Sequence, residues 1–517
     1  AEGDEAHASS SLHGTTDIQR QPLTSEKTQT MSLRRKTTNI LIPLLAFILA
    51  SCGGVREPET YTSLTSLPRI YPDYTDTTIP GNIAPLNFML PDKEDKECIV
   101  TLTSGRGSIA VEGRGEARFD TDEWHDFMKA AGRTDITVRV YVREDSGWQA
   151  YKPFKWHVAE DIDNYIAYRL IPPSYVCYEE LHLCQRDLTS FETRDIYNNI
   201  DHANGIKQCI NCHSFQNYDT DRMQFHVRGA GGGTIVYDNG EVRKVNLKRD
   251  GCISSGVYPA WHPSLDLIAY STNRTMQHFH TADRGKVEVQ DSKSDLILYD
   301  VKADRVTSVS NAPYDLEVFP SWSPDGRWLY YSSATVADTA AKAIVEHYKE
   351  IRYNIYRRSF DGKSLQVGEP ELVLDAASDS LSALLPRISP DGRFMLYSAA
   401  PYGVFHIWHE GADLYLMDLK TRQSHPLSDA NSARAESYHS WSSNGRWIAF
   451  TSRRNDGNYT QIFFSYIDRD GRAHKAIQMP QEDPAHDMES TVGYNVPELT
   501  RTKVKTGVET FRRVLSK

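Results

Sequence analysis

Apolar and polar positions along this chain alternate mostly with period two, and sustained 3.6-residue periodicity is scarce. Ile136-Thr-Val-Arg-Val-Tyr-Val-Arg alternates cleanly, as do parts of Cys98–Leu102 and Ser108–Phe119. Gly- and Asp-rich turns separate these runs, which predicts half-buried strands. Asp122–Ala131 reads as one short helix. With Ile166–Ile171 and Leu181–Leu188 as later strands, residues 66–188 predict a small antiparallel β-sandwich-like domain. Phe191–Asn199 reads as a short helix that leads into a distinct segment, 189–228.

Beyond that segment the pattern repeats. Tyr258-Pro-Ala-Trp-His-Pro-Ser-Leu-Asp is followed by Phe319-Pro-Ser-Trp-Ser-Pro-Asp-Gly-Arg-Trp, Leu385-Pro-Arg-Ile-Ser-Pro-Asp-Gly-Arg-Phe and Tyr438-His-Ser-Trp-Ser-Ser-Asn-Gly-Arg-Trp. The aligned positions Trp261, Trp322, Ile388 and Trp441 lie 61, 66 and 53 residues apart. Asp325-Gly326, Asp391-Gly392 and Asn444-Gly445 suit tight hairpin turns, and an aromatic-rich strand follows each. A second hairpin strand follows in each unit (Leu296, Asn354, Asp413 and Gln461 begin these strands), so each unit predicts four strands, the make-up of a propeller blade. The Trp residues read as blade core. The Ser-Pro-Asp-Gly-Arg-Trp/Phe pattern resembles the blade repeat of TolB-like β-propellers over residues 229–500. That resemblance implies about six blades, the flanks near Gly233 and Val492 supplying degenerate or shared ones. Ala334–Tyr353 reads as an insertion with a short helix, and 501–517 as a C-terminal tail.

Charge and hydropathy narrow the class. The 517 residues carry a net charge of −11, which argues against a nucleic-acid partner. A mean hydropathy of −0.54 excludes a polytopic membrane protein. The one strongly apolar stretch follows Met31, where Arg34, Arg35 and Lys36 precede an apolar run, Ile40–Leu49. That run is too short to span a bilayer comfortably, which takes about 20 residues, and reads as a signal peptide over 31–51, with an uncleaved anchor helix as the alternative. Leu49-Ala-Ser-Cys52 resembles the lipobox of bacterial lipoproteins. The resemblance implies a lipid on Cys52, a tether over 52–65, a membrane held through that lipid, and an outer-membrane protein facing the periplasm or the cell surface. Residues 1–30 read as an extension foreign to the mature protein.

The strongest chemical signal is Cys209-Ile210-Asn211-Cys212-His213. On one helical turn this C-x-x-C-H spacing presents two thiols to the vinyl groups of a haem and an imidazole to its iron. The motif resembles that of c-type cytochromes and implies one covalent haem c, with Cys209 and Cys212 as anchors and His213 as proximal iron ligand. An exported chain fits, since bacteria attach haem c outside the cytoplasm. Met223 or His226 is the candidate distal ligand. Two other readings stay open: a small-loop disulfide, and zinc held with partners from elsewhere.

No G-x-S-x-G elbow, P-loop or H-E-x-x-H occurs. Gly229–Gly233 precedes a strand and reads as a hinge, and His406-x-x-His409 reads as a surface loop. The expectation is a mainly β envelope lipoprotein in which haem c transfers electrons and the propeller docks a protein partner. The alternatives are a non-redox, protein- or glycan-binding scaffold, and a peroxidase-type haem enzyme.

Overall fold

The computed structural model describes residues 55–172, 180–200, 208–229, 231–281, 285–516. The signal segment, the lipobox with Cys52, and Cys177 lie outside the described residues. The fold is mainly β in a β-propeller arrangement. No helix of the described residues is long and apolar enough to cross a membrane.

Residues 62–159 form a seven-stranded sheet in which Glu97–Ser104 and Ile136–Glu144 are central. Thr121–Ala131 is the predicted helix. Asp120 caps it, its carboxylate accepting from the N–H groups of Asp122 and Glu123 at 3.0 Å. The helix buries Trp124, Phe127, Met128 and Ala131.

The sandwich expectation needs correction. Two strand pairs of this sheet are parallel, Thr62–Ser63 with Gly147–Ala150 and Thr77–Pro80 with Phe154–Ala159. Tyr165–Ile171 and His182–Asp187, assigned above to the sandwich, instead continue a sheet begun by Gly493–Thr500 and ended by Thr193–Asn198. Strands from both ends of the chain thus build one blade. The helix expected at Phe191–Asn199 is the strand Thr193–Asn198, and Cys209, Cys212 and His213 lie on the strand Gln208–Gln216. Ile196, Tyr197, Ile210 and Phe215 bury into one core shared by two neighbouring blades, and burial there overrides any helical preference.

Further four-stranded antiparallel sheets run from Gln208–Gln216 to Glu241–Val245, from Ser382–Ile388 to Ser424–Pro426 and from Glu436–Trp441 to Ile477–Gln478. Between them lies an eight-stranded sheet. Its two antiparallel halves, Val257–Trp261 to Arg305–Ser308 and Asp315–Trp322 to Gln366–Leu374, join through one parallel bridge, Ser294 to Leu316. The insertion helix is Ala341–Glu346. Gly229 and Gly233 flank a hairpin turn between two strands of one blade, in place of the expected hinge.

The Ser-Pro-Asp-Gly-Arg repeat has a local cause. Ser323 Oγ donates to Asp325 at 2.6 Å and accepts from the Trp328 N–H at 3.0 Å, and Ser389 and Ser442 repeat the pattern. Gly326 and Gly392 follow with φ of 69° and 73°. A Cβ at 392 meets nothing within 4 Å among the described residues, so Gly392→Ala carries only the left-handed backbone cost of about 1–2 kcal/mol. A Cβ at 326 would overlap the buried His262 ring, which bonds the Gly326 carbonyl at 3.1 Å. Gly326→Ala is therefore expected to cost about 1 kcal/mol or more beyond Gly392→Ala in urea unfolding. Equal costs would contradict this packing.

The N-terminal sheet shares a core with the blade that begins at Glu436. Trp447, Phe464, Ile477 and Met479 pack among Trp124, Trp156 and Phe154. Asp163 accepts from the Ser443 N–H and hydroxyl at 2.6 and 2.5 Å, and Arg186 donates to Gln481 and to the Pro480 carbonyl.

Candidate functional site

Each innermost strand carries one residue with left-handed backbone, in the same place. These are Cys212, Tyr258, Phe319, Leu385, Tyr438 and Val496, with φ between 48° and 58°. Ladder register shifts at each of them, so each is a β-bulge. The next residue is His213, Pro259, Pro320, Pro386, His439 or Pro497. Proline suits a bulge because it has no N–H to leave unpaired.

Residues one or two positions past each bulge line a cavity of about 350 Å³ among the innermost strands, whereas of the bulge residues themselves only Val496 does. His213, Pro259, Ser321, Arg387, His439 and Glu498 are among the residues that line it. Trp261, Trp322 and Trp441 form part of the apolar wall, and the last two donate from Nε1 to the Ala260 and Arg387 carbonyls at 3.0 Å.

His213 is 4% exposed. Burial, with the Arg169 guanidinium nearby, lowers its pKa to about 3, so the ring is neutral. Among the described residues its buried Nε2 has no hydrogen-bond partner. His439 is likewise pushed to about 3 by burial and by Arg387, and its Nε2 bonds the Leu385 carbonyl at 2.7 Å. Burial raises Glu498 to about 7, against the opposing pull of the Phe215 N–H, which it accepts at 3.0 Å, and of Arg387.

Among the described residues Cys209 and Cys212 form no disulfide, and both are half-buried. Arg169 donates to the Ile210 carbonyl at 2.7 Å, and its guanidinium feels both thiols. His213 thus lines the cavity with a neutral ring, while Cys209 and Cys212 lie beside Arg169 and are not among the residues that line it. A bulged strand replaces the expected helical turn.

Neither distal candidate lines the cavity. Met223 is fully buried in the blade core with Phe215, Phe225 and Ile235. His226 is buried one strand out, its Nδ1 3.0 Å from the Thr234 hydroxyl, and burial holds it neutral with a pKa near 4. Both alternate into the hairpin partner strand, so sequence proximity to His213 does not bring them to its Nε2.

His406 and His409 are also placed differently from the surface-loop reading. They are 1% and 7% exposed, and His409 Nε2 lies 3.3 Å from Glu288, which the hairpin Leu267–Phe279/Val287–Asp300 brings across. Arg387, His439 and Glu498 were missed by motif reading. The signal was the repeat itself, whose variable positions beside the bulge face the cavity.

No protein-family model and no curated protein matches the chain. Among solved structures it is similar to the tricorn protease at 12% identity and a TM-score of 0.35, over 68% of this chain and 33% of that one. It is similar to a chain of a nidogen/laminin complex at 9% identity and a TM-score of 0.35, over 60% of this chain and 93% of that one. A GH74 enzyme of Niastella koreensis overlaps at 11% identity and a TM-score of 0.36, over 60% of this chain and 44% of that one. The chain thus spans about a third of the tricorn protease and under half of the GH74 enzyme. Overlaps this loose add nothing to the strand pairing described above, which defines a β-propeller by itself.

Proposed function

We propose that the protein is a six-bladed propeller of the cell envelope that holds one covalent haem c and passes electrons to a protein docked on a propeller face. The blade count is supported by the six equivalent bulges, and by innermost strands that touch in cyclic order from Gln208–Gln216 round to Gly493–Thr500 and back. The observation that carries the haem reading is the buried, neutral His213, which ends a C-x-x-C-H motif, lines a cavity and has no hydrogen-bond partner for its Nε2 among the described residues. Cys209 and Cys212 would anchor the group and His213 would give its Nε2 lone pair to iron. A bound haem supplies reversible one-electron chemistry. The chain's part is to hold the imidazole neutral and to set Arg169 beside the thiols. Attachment to the outer membrane would be through lipid on Cys52.

The test is the visible spectrum of full-length protein exported alongside the covalent haem-attachment machinery. The expected result is a red protein with sharp α and β bands on dithionite reduction. A colourless protein from cells that mature a control cytochrome would overturn the reading.

A haem-free binding propeller is favoured by one specific observation. Tyr438-His439-Ser440-Trp441 occupies the same bulge as Cys212-His213-Ser214-Phe215 without a cysteine three residues before its first position. In that reading the two imidazoles, Arg387 and Glu498 receive a polar group of a protein or glycan ligand.

A further inference from the structure

We propose that His182, Cys184 and Asp195 form a zinc site on the outer part of the blade that closes the ring, a site independent of the C-x-x-C-H motif. His182 and Cys184 are two apart on the strand His182–Asp187 and share a face, and Asp195 sits opposite Cys184 on the strand Thr193–Asn198. A register shift between Leu183 and Cys184 turns the carboxylate toward both. The three ligand atoms lie within 4.8 Å of one another, and among the described residues no other three His, Cys, Asp or Glu side chains come together in this way. Ligand atoms around tetrahedral zinc stand roughly 3.3–3.9 Å apart, given bonds of about 2.0–2.3 Å. Closing the site therefore takes side-chain adjustments of about 1 Å or less.

The outer contacts are those that a zinc site uses. His182 Nδ1 faces Asp195 at 3.0 and 3.1 Å, and its Nε2 lies 3.3 Å from Glu180. With Nδ1 on the metal, Glu180 accepts from the Nε2–H and fixes the tautomer. Asn198 donates to Asp195 Oδ2 at 2.7 Å, steadying the second ligand. Cys184 is 2% exposed, with Sγ 3.4 Å from Asp195 Oδ1. Thiolate, imidazole and carboxylate together are a zinc donor set, and His182 and Asp195, only half-buried, leave room for a water as fourth ligand.

The test is Zn²⁺ titration of the metal-free full chain by calorimetry, with thermal unfolding to show that each variant folds. Wild type and the double variant Cys209→Ser/Cys212→Ser are expected to bind one equivalent alike. Cys184→Ser and Asp195→Asn are expected to lose at least about ten-fold in affinity, and Glu180→Gln, altered at an exposed position, about ten-fold. Absence of binding to wild type, or binding that survives Cys184→Ser and Asp195→Asn, would overturn the proposal. So would loss of binding only in the Cys209/Cys212 variant.

Discussion

Replacing Trp447 with Ala is expected to cost about 3–5 kcal/mol of folding free energy, the range for emptying a fully buried aromatic site. The ring is wholly buried, donates from Nε1 to the Glu160 carbonyl at 2.7 Å and packs edge-on against Tyr466 at 5.3 Å. It sits where the N-terminal sheet meets the blade, so the cavity would open between two layers that cannot collapse independently. Trp328 holds the same place in another repeat, yet it is only half-buried, under the Arg357 guanidinium at 3.9 Å. Trp328→Ala is expected to cost about 1 kcal/mol or less beyond its lost packing. Urea midpoints of the two variants check this, and equal losses would mean that the sheet does not rest on that blade.

The second large effect concerns Glu498. Its carboxyl titrates near pH 7 in the folded protein and near 4.5 when unfolded, chiefly because burial disfavours the charge. Between those values the native state holds a proton that the unfolded state has released, so stability falls as pH rises through the window. The shift corresponds to at most about 3 kcal/mol, since the group borders the cavity. Gln keeps an oxygen for the Phe215 N–H and cannot ionise. Relative to wild type, Glu498→Gln is therefore expected to gain up to about 3 kcal/mol between about pH 4.5 and pH 7.5. A difference between the two proteins that does not change with pH would show that Glu498 faces bulk water.

Much of the propeller was legible because its information is local. Asp-Gly and Asn-Gly turns and the Ser that caps them recur at short range, and the helix Thr121–Ala131 announces itself through Asp120 and an apolar stripe. The closing blade was not legible. It joins Tyr165–Ile171 to Gly493–Thr500 across more than 300 residues, and nothing in either strand's alternation names its partner. The candidate site was half legible. His213 does reach a cavity, but the helical expectation came from the motif and hid a simpler pattern. Cys212-His-Ser-Phe parallels Tyr438-His-Ser-Trp, which places the motif on an innermost strand. Arg387 and Glu498 escaped notice because a charge in a repeat otherwise filled by Ala and Ser reads as surface until the ring closes around it.

The most direct measurement of the central claim is the denatured mass of the tryptic peptide 208–222, which contains both thiols of the motif. The account predicts that this peptide, taken from protein exported alongside active haem-attachment machinery, carries the mass of one haem through denaturation. The bare peptide mass with two alkylatable thiols would contradict it, leaving the propeller mouth to bind its ligand without iron.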